Sequence, residues 1–449
     1  MIKRDISSFL TQWKAAPDRK VLLLRGARQV GKTFIAREFG KTFKNFVEVN
    51  FYETPEVGNF FKTGNLAPQN IIEKLELYYN VSITPGETLL FFDEIQSCPE
   101  AIDSLRFFYE KSPGLHLLAT GALLEFGLND VLSFGVGRIV SAFMYPISLS
   151  EFIAALLGEK FAGIVGNAVA INQGIEEVLH KKLIDAVTIH SIIGGLPGVV
   201  ATYLKSHDLR ECFKILDELI VGFEDDFAKY NEKVNPQKLR DTLKAIALQT
   251  GDKFVYSRIK PDTPVYGYDT ALGQLMRAGL AYKINRVSAN GIPLGAEIDE
   301  KRFKIILFDS GIYNRLLNLD LRGVIATNDI GLVNSGALAE NICGLELVKS
   351  TPCYRRPELF YWTREAKGSN AEIDYVVQRG NTIVPIEVKA GTKGQMQSLY
   401  IFMKEKQLML GVRTSIENFG RLVPPSGEGE VAIVPLYGIG RYVNVGASL

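Results

Sequence analysis

The sequence predicts an α/β protein of several units: a parallel-sheet domain over residues 1–150, a helical region over 151–310, and an α+β domain over 311–449. Three observations carry this. Short apolar runs alternate with helical patterns through the first third. The middle third is helical almost throughout. The last third returns to closely spaced strands. At 449 residues the chain is also too long for one hydrophobic core.

In chain order, Val21-Leu22-Leu23-Leu24 reads as a strand and residues 34–39 as the helix that follows. Residues 45–51 are strand-like, 71–79 helical, 88–92 a strand, 102–111 helical and 115–119 a further apolar strand. Runs buried on both faces and alternating with helices indicate a parallel sheet. Residues 175–189, 208–223 and 236–249 carry helical periodicity, and Pro236 suits a first helical turn. Residues 268–278 are helical, and Gly279 separates them from strand-like 280–287. Helices followed by a short hairpin suggest a helical lid with a winged-helix-like module. From about Asn334 a helix precedes strands at 359–363, 373–377 and 382–388.

Composition excludes little. The formal net charge of +1 gives no bulk attraction to nucleic acid or membrane, so any such activity rests on local patches. No apolar run reaches the roughly 18 residues of a membrane span. The N-terminus has no apolar signal region behind its charges, and a cytoplasmic protein is the expectation. Cys98, Cys212, Cys343 and Cys353 lack metal-ligand spacing and read as free thiols. His116, His180, His190 and His207 show neither metal nor triad spacing.

The segment Gly26-Ala27-Arg28-Gln29-Val30-Gly31-Lys32-Thr33 follows a strand and opens a helix. A Gly-rich turn lets backbone N–H groups close around phosphates, while the helix points its positive end at them. In such a P-loop, Lys32 reaches the β and γ phosphates and Thr33 ligates Mg²⁺. Thr88-Leu89-Leu90-Phe91-Phe92-Asp93-Glu94 is an apolar strand ending in two carboxylates. Asp93 can hold the Mg²⁺ shell, and Glu94 can polarise the attacking water. ATP and Mg²⁺ are therefore the expected ligands, with Lys32 and Glu94 as the catalytic pair. Thr120 ends the next strand, where a sensing residue or a plain turn fits equally. Arg138 is a candidate for stabilising charge on the transferring phosphate, against a solvated arginine.

Together with Leu90 to Gln96, Gly137-Arg138 and Tyr145 to Phe152, the P-loop resembles that of prokaryotic ATPases of the AAA superfamily that carry a C-terminal domain of unknown function. Gly194-Gly195-Leu196-Pro197, Phe308-Asp309-Ser310-Gly311-Ile312 and Pro385-Ile386-Glu387-Val388-Lys389 fit the same family, and the likeness spans nearly the whole chain. One departure is Ala122-Leu123-Leu124, where small hydroxylated residues are the family pattern.

In the last third, Ala371 to Val377 and Val384 to Lys389 both alternate, and Gly380-Asn381 between them suits a two-residue hairpin. That register sets Asp374 opposite Glu387 and Glu372 opposite Lys389, all on one face. Opposed carboxylates repel unless a cation relieves them. Asp374 followed by Glu387-x-Lys389 resembles the PD-(D/E)xK nuclease fold, in which the carboxylates hold Mg²⁺ and the lysine positions water. Glu340 would be the extra acid on the preceding helix. An active nuclease, a nuclease-like fold used for binding, and a solvated hairpin all stay open. The helix at 268–278 carries only Arg277 as a basic residue where duplex reading normally needs several, so a lid or protein-contact role stands beside DNA reading. The expected function is Mg²⁺-dependent ATP hydrolysis coupled to the C-terminal domain. A slow nucleotide-gated switch and an ATP-regulated DNA nuclease are the alternatives. DNA, a protein partner and a second copy of the chain are the partners left open, with no membrane.

Overall fold

The computed structural model describes residues 2–62, 66–121, 136–227, 234–261, 264–319, 336–366, 369–391 and 395–444. Ala122-Leu123-Leu124 and Asn334-Ser335 lie outside them.

Five strands, β1 (Val21–Arg25), β2 (Asn45–Asn50), β3 (Thr88–Asp93), β4 (His116–Thr120) and β5 (Ile139–Phe143), form a sheet in the order β2-β3-β4-β1-β5. Every neighbouring pair is parallel. Alternate side chains feed two separate cores. Leu22, Leu24, Phe91 and Leu118 face one, and Leu23, Leu90, Phe92 and Leu117 the other. Burial on both faces is why these strands read as continuous apolar runs. The reversal of strand order beside β1 puts the loop after β1 at the sheet's carboxyl edge, where α/β sheets bind ligands.

The middle third forms the helices Leu149–Leu157, Glu159–Ile171, Glu177–Ile193, Pro197–Ser206, Leu209–Asp226 and Pro236–Gln249. The helix Tyr268–Arg277 then leads into β6 (Ala281–Val287) and β7 (Ile298–Leu307). β7 of this hairpin packs against the helix Pro236–Gln249 and β6 against Tyr268–Arg277, but its pairing is not confined to that module. The hairpin forms one edge of an eight-stranded sheet ordered β12-β13-β11-β10-β9-β8-β6-β7, with β8 (Leu359–Ala366), β9 (Ser369–Arg379), β10 (Thr382–Val388), β11 (Leu410–Ser415), β12 (Gly420–Leu422) and β13 (Glu430–Pro435). β6 pairs β8 in parallel through Ile284 and Leu359, so the sheet runs across the expected boundary at residue 310.

Two of the short glycine motifs interlock across the chain. The Gly195 N–H donates to Asp309 Oδ2 at 2.7 Å, and Asp309 also caps the helix Ser310–Leu316 by accepting from the Ile312 N–H. A Cβ on Gly194, which has φ +75°, would lie 2.2 Å from Asp309 Oδ1, and one on Gly311 would lie 2.3 Å from the Ile193 carbonyl. Only glycine permits that approach.

The N-terminal segment is tied to the loop after β1. Buried Arg4 donates to the Val30 carbonyl at 3.0 Å, to the Tyr145 carbonyl at 2.6 Å and to Glu151 Oε1 at 3.0 Å. Glu151 forms a capping box with Ser148 at the start of the helix Leu149–Leu157. The next N–H, that of Leu149, donates to both oxygens of buried Glu346 on the helix Ala337–Ser350. The loop after β1 and the C-terminal part are thus joined through fully hydrogen-bonded buried charges, the condition under which burying them is tolerable.

Candidate functional site

The loop from Gly26 to Gly31 bends through left-handed backbone at Gln29 (φ +66°) and Gly31 (φ +93°), and Gly26 has φ +142°. At Gly26 a Cβ would stand 2.2 Å from the Met144 carbonyl, so the loop needs glycine there for space as well as conformation. The helix Lys32–Gly40 starts directly after it. Its first N–H groups have no partner within the helix and point towards the loop's concavity.

Lys32 is buried, and its ammonium donates to the Gly26 and Ala27 carbonyls at 2.9 and 2.7 Å. Burial pushes its pKa down to about 8, against the pull of Glu94 and Asp93 and with a further push from Arg28. Thr33 Oγ1 donates to Asp93 Oδ2 at 3.0 Å. The other Asp93 oxygen accepts from Thr120 Oγ1 and, at 3.0 Å, from the Glu94 N–H. Asp93 is therefore oriented by three donors. Glu94 sits in left-handed backbone (φ +51°) at the end of β3, and its carboxylate accepts from Gln96 Nε2. Arg28 forms an ion pair with Asp226 at the end of the helix Leu209–Asp226, which bonds the loop to the helical region.

Lys32, Thr33, Asp93, Glu94 and Thr120 are thus brought together as the sequence led us to expect. Arg138 is not. The Val21 N–H donates to the Arg138 carbonyl, which fixes Arg138 at the opposite end of the sheet from the loop. Its guanidinium pairs with Glu110 there. The strand register decides this, because Arg138 precedes β5 while the loop follows β1 in a parallel pair. The Thr33 hydroxyl and the Asp93 carboxylate, two hard oxygen donors in contact, fit Mg²⁺, which takes few protein ligands and completes its shell from phosphate and water.

Two clefts flank the loop. One, of about 610 Å³, lies on the Gly31 side and is lined largely by apolar groups, among them Ile2, Phe34, Ile147, Pro197 and Leu204. The other, of about 290 Å³, lies on the Gly26 side beside Ala27 and Gly121 and carries several cations.

The carboxyl-terminal cluster has the register read from its turn. β9 and β10 pair from Arg379↔Thr382 to Tyr375↔Ile386, with Gly380 at φ +57° in the turn. Beyond that pair the Asp374 carboxylate takes the Val388 N–H at 2.7 Å. Lys389 pairs with Glu387 at 2.6 Å. The expectation missed Lys304 on β7, nearly fully buried, whose ammonium meets Glu372 and lies 3.5 Å from Glu340. Burial lowers the Lys304 pKa, but Glu340, Glu372 and Asp374 outweigh it and hold the group charged. Burial and Asp374 push the Glu340 pKa up to about 8, and burial raises that of Asp374. Among the described residues no group of three or more His, Cys, Asp or Glu side chains is arranged to hold a metal ion. Lys304 and Lys389 supply positive charge facing these carboxylates, while Glu387 Oε2 is buried without a hydrogen-bond partner and burial with Asp374 pushes the Glu387 pKa up to about 7.

Lys304→Met should accordingly weaken folding. Removing one partner of a buried charge cluster costs about 3–5 kcal/mol. An acid whose pKa is raised by folding binds its proton more tightly in the native state, so stability falls as pH rises from about 4.5 towards 8 for Glu340. The variant should lose stability more steeply over that interval in urea titrations. Equal midpoints at pH 8 would show that Lys304 is not the compensating charge.

Residues 18–153 match a family model described as an AAA domain. Fold, loop and match define this part as an AAA-type P-loop domain. Residues 185–322 match a domain of unknown function, DUF8612, and residues 335–429 a second, DUF4143. No curated protein matches the chain. No helix among the described residues is long and apolar enough to cross a membrane.

Proposed function

We propose that the protein binds Mg-ATP at the P-loop and hydrolyses it. The observation that carries this reading is the convergence of Lys32, Thr33, Asp93, Glu94 and Thr120 at one edge of the sheet, each held by a named partner. The apolar cleft beside Gly31 suits a nucleoside base, since base sites are mostly apolar with few polar groups. On binding, Lys32 gives up its carbonyl partners for phosphate oxygens. Thr33 and Asp93 would hold Mg²⁺, which neutralises charge on the β and γ phosphates. Glu94 accepts a proton from the attacking water, and Gln96 fixes its carboxylate in position.

Response to the nucleotide would pass to the C-terminal part through Arg4, Glu151 and Glu346, since these link the Val30 carbonyl to the helix Ala337–Ser350. The C-terminal part then acts as the coupled, partner-binding half. Its lysine-compensated carboxylates favour that role over metal-dependent cleavage of DNA. Phosphate release from Mg-ATP by the full chain, with and without DNA, tests both statements. Absence of nucleotide binding would remove the first. Mg²⁺-dependent cleavage of DNA that Asp374→Ala abolishes would overturn the second.

A further inference from the structure

A third cleft, of about 520 Å³, opens where three parts of the chain meet. One wall is the helix Ile6–Ala15, with Asp5 ahead of it and Phe9 one turn on. The second is the chain after β5, including Tyr145 and Glu151. The third joins the end of the helix Ala337–Ser350 and Tyr354 to the helix Leu436–Asn444, which brings Arg441. Four charges on these walls satisfy one another, since Arg4 pairs with Glu151 and Lys349 with Glu346. Asp5 and Arg441 do not.

Asp5 stands at the N-cap position, where an aspartate ordinarily accepts a hydrogen bond from the first helical turn. Here its backbone is already helical (φ −58°, ψ −32°) and its carboxylate caps nothing. Among the described residues that carboxylate has neither an ion pair nor a hydrogen bond. It stays open to the cleft, yet the protein around it desolvates it. That burial, with repulsion from Glu151, pushes its pKa up to about 6 against the pull of Arg441 and Arg4. A helix start by itself favours the charged acid, so capping does not explain the residue. Arg441 is anchored to the Ala162 carbonyl at 2.7 Å and to Ser150 Oγ at 2.6 Å. A guanidinium has five N–H donors, and no carboxylate pairs with this one among the described residues. The Phe9 and Tyr354 rings, with centroids 6.3 Å apart, add an apolar surface. Phe9 lies four residues after Asp5, hence on the same helix face.

We propose that this cleft is an effector site for a free α-amino acid with an apolar side chain, its ammonium on Asp5, its carboxylate on Arg441 and its side chain against Phe9 and Tyr354. An ammonium pairs a carboxylate that the fold leaves unpaired, and the face of the Phe9 ring suits the same cation. A carboxylate takes a guanidinium in two parallel bonds. An unpaired acid and an unpaired base on separate walls of one cleft select a zwitterion over a simple amine or a simple acid. The site also reaches the P-loop. The Asp5 N–H donates to Glu151 Oε1 at 2.7 Å, the oxygen that takes Arg4 Nε, and Arg4 holds the Val30 carbonyl. Fixing Asp5 therefore fixes Arg4, and a loop already ordered loses less freedom when nucleotide binds. This coupling, unlike the site itself, rests on the nucleotide-binding reading above.

Isothermal titration of the full chain with L-leucine tests the site. N-acetyl-leucine lacks the ammonium and leucinamide lacks the carboxylate, and each should bind about tenfold more weakly or worse, the loss expected for one charged hydrogen bond. Glycine, without the apolar side chain, should also bind more weakly than leucine. Asp5→Asn should lower leucine affinity about tenfold and leave that of N-acetyl-leucine unchanged. Arg441→Gln should lower leucine affinity to a similar extent and leave that of leucinamide unchanged. The comparison of ligands needs only the wild type, so it decides the matter even where a variant fails to fold. Leucine that does not bind at concentrations up to about 10 mM overturns the site. The two derivatives also stand for the two ends of a peptide, and either one binding as tightly as leucine overturns the free amino acid as ligand. Saturating leucine should tighten Mg-ATP binding about fivefold or more, the lower end of ordinary coupling. Leucine that binds without changing Mg-ATP affinity overturns the coupling and leaves the site and the P-loop reading intact. A chain that binds leucine and no nucleotide overturns the P-loop reading, and the coupling with it, but not the site.

Discussion

Lys32→Ala is expected to lower the affinity for Mg-ATP by about 30- to 1,000-fold, the range implied by about 2–4 kcal/mol for a buried charged contact. The loss has two sources. The ammonium is the main positive charge aimed at the β and γ phosphates. It also braces the loop, through its bonds to the Gly26 and Ala27 carbonyls. Isothermal titration of the folded variant measures the effect, and unchanged affinity would remove the central claim. The wild type should carry a pH signature that the variant lacks. Burial sets the free-state pKa of Lys32 at about 8, and phosphate binds the protonated form. Affinity should be flat below that pH and fall about tenfold per unit above it, as proton uptake becomes part of binding.

Glu94→Gln should separate binding from chemistry. The carboxamide keeps the shape and can still bond Gln96 through its oxygen, but it cannot take a proton. Loss of a positioned general base costs about 10²–10⁴-fold in kcat, and the affinity for Mg-ATP should stay within a few-fold. Single-turnover phosphate release shows which. A variant turning over at the wild-type rate would move the role of base elsewhere, with Asp93 first to be re-examined. Asp93 differs in kind, because its two oxygens are engaged by Thr33, Thr120 and the Glu94 N–H, the bonding of a positioning and metal-holding group.

What could be read in the sequence is local. The P-loop and the Asp93-Glu94 strand end declare themselves within a few residues, because phosphate binding needs glycine, lysine and a helix start in fixed order. The β9–β10 register follows from Gly380-Asn381, since a two-residue turn leaves one pairing. The rest depends on partners far along the chain. Arg138 looked like a site residue because it follows glycine after a polar loop, and only the pairing of β5 with β1 shows which end of the sheet it occupies. The hairpin at 281–307 has the pattern of a wing, yet its outer edge finds β8, more than fifty residues later. Lys304 follows Lys301 and Arg302 in a strand that opens on charged residues, and nothing beside it in sequence announces Glu340 or Glu372. Arg4 was equally silent. Its partner Glu151 stands 147 residues away, at the start of the helix that it caps with Ser148.

The crossing of the eight-stranded sheet over residue 310 bears on how such a chain can be divided. Strands β6 and β7 belong by sequence to the region after the helices, but their hydrogen-bonding neighbour β8 lies on the far side. Cutting the backbone near residue 310 would not release a finished half. One fragment would carry an unpaired β6 edge, the other an unpaired β8 edge, and each edge is a template for its lost neighbour. Two such pieces produced in one cell would therefore tend to rejoin as a complementing pair. Gene fusion or recombination could exchange the C-terminal strands only together with this hairpin, so the two segments travel as one heritable block.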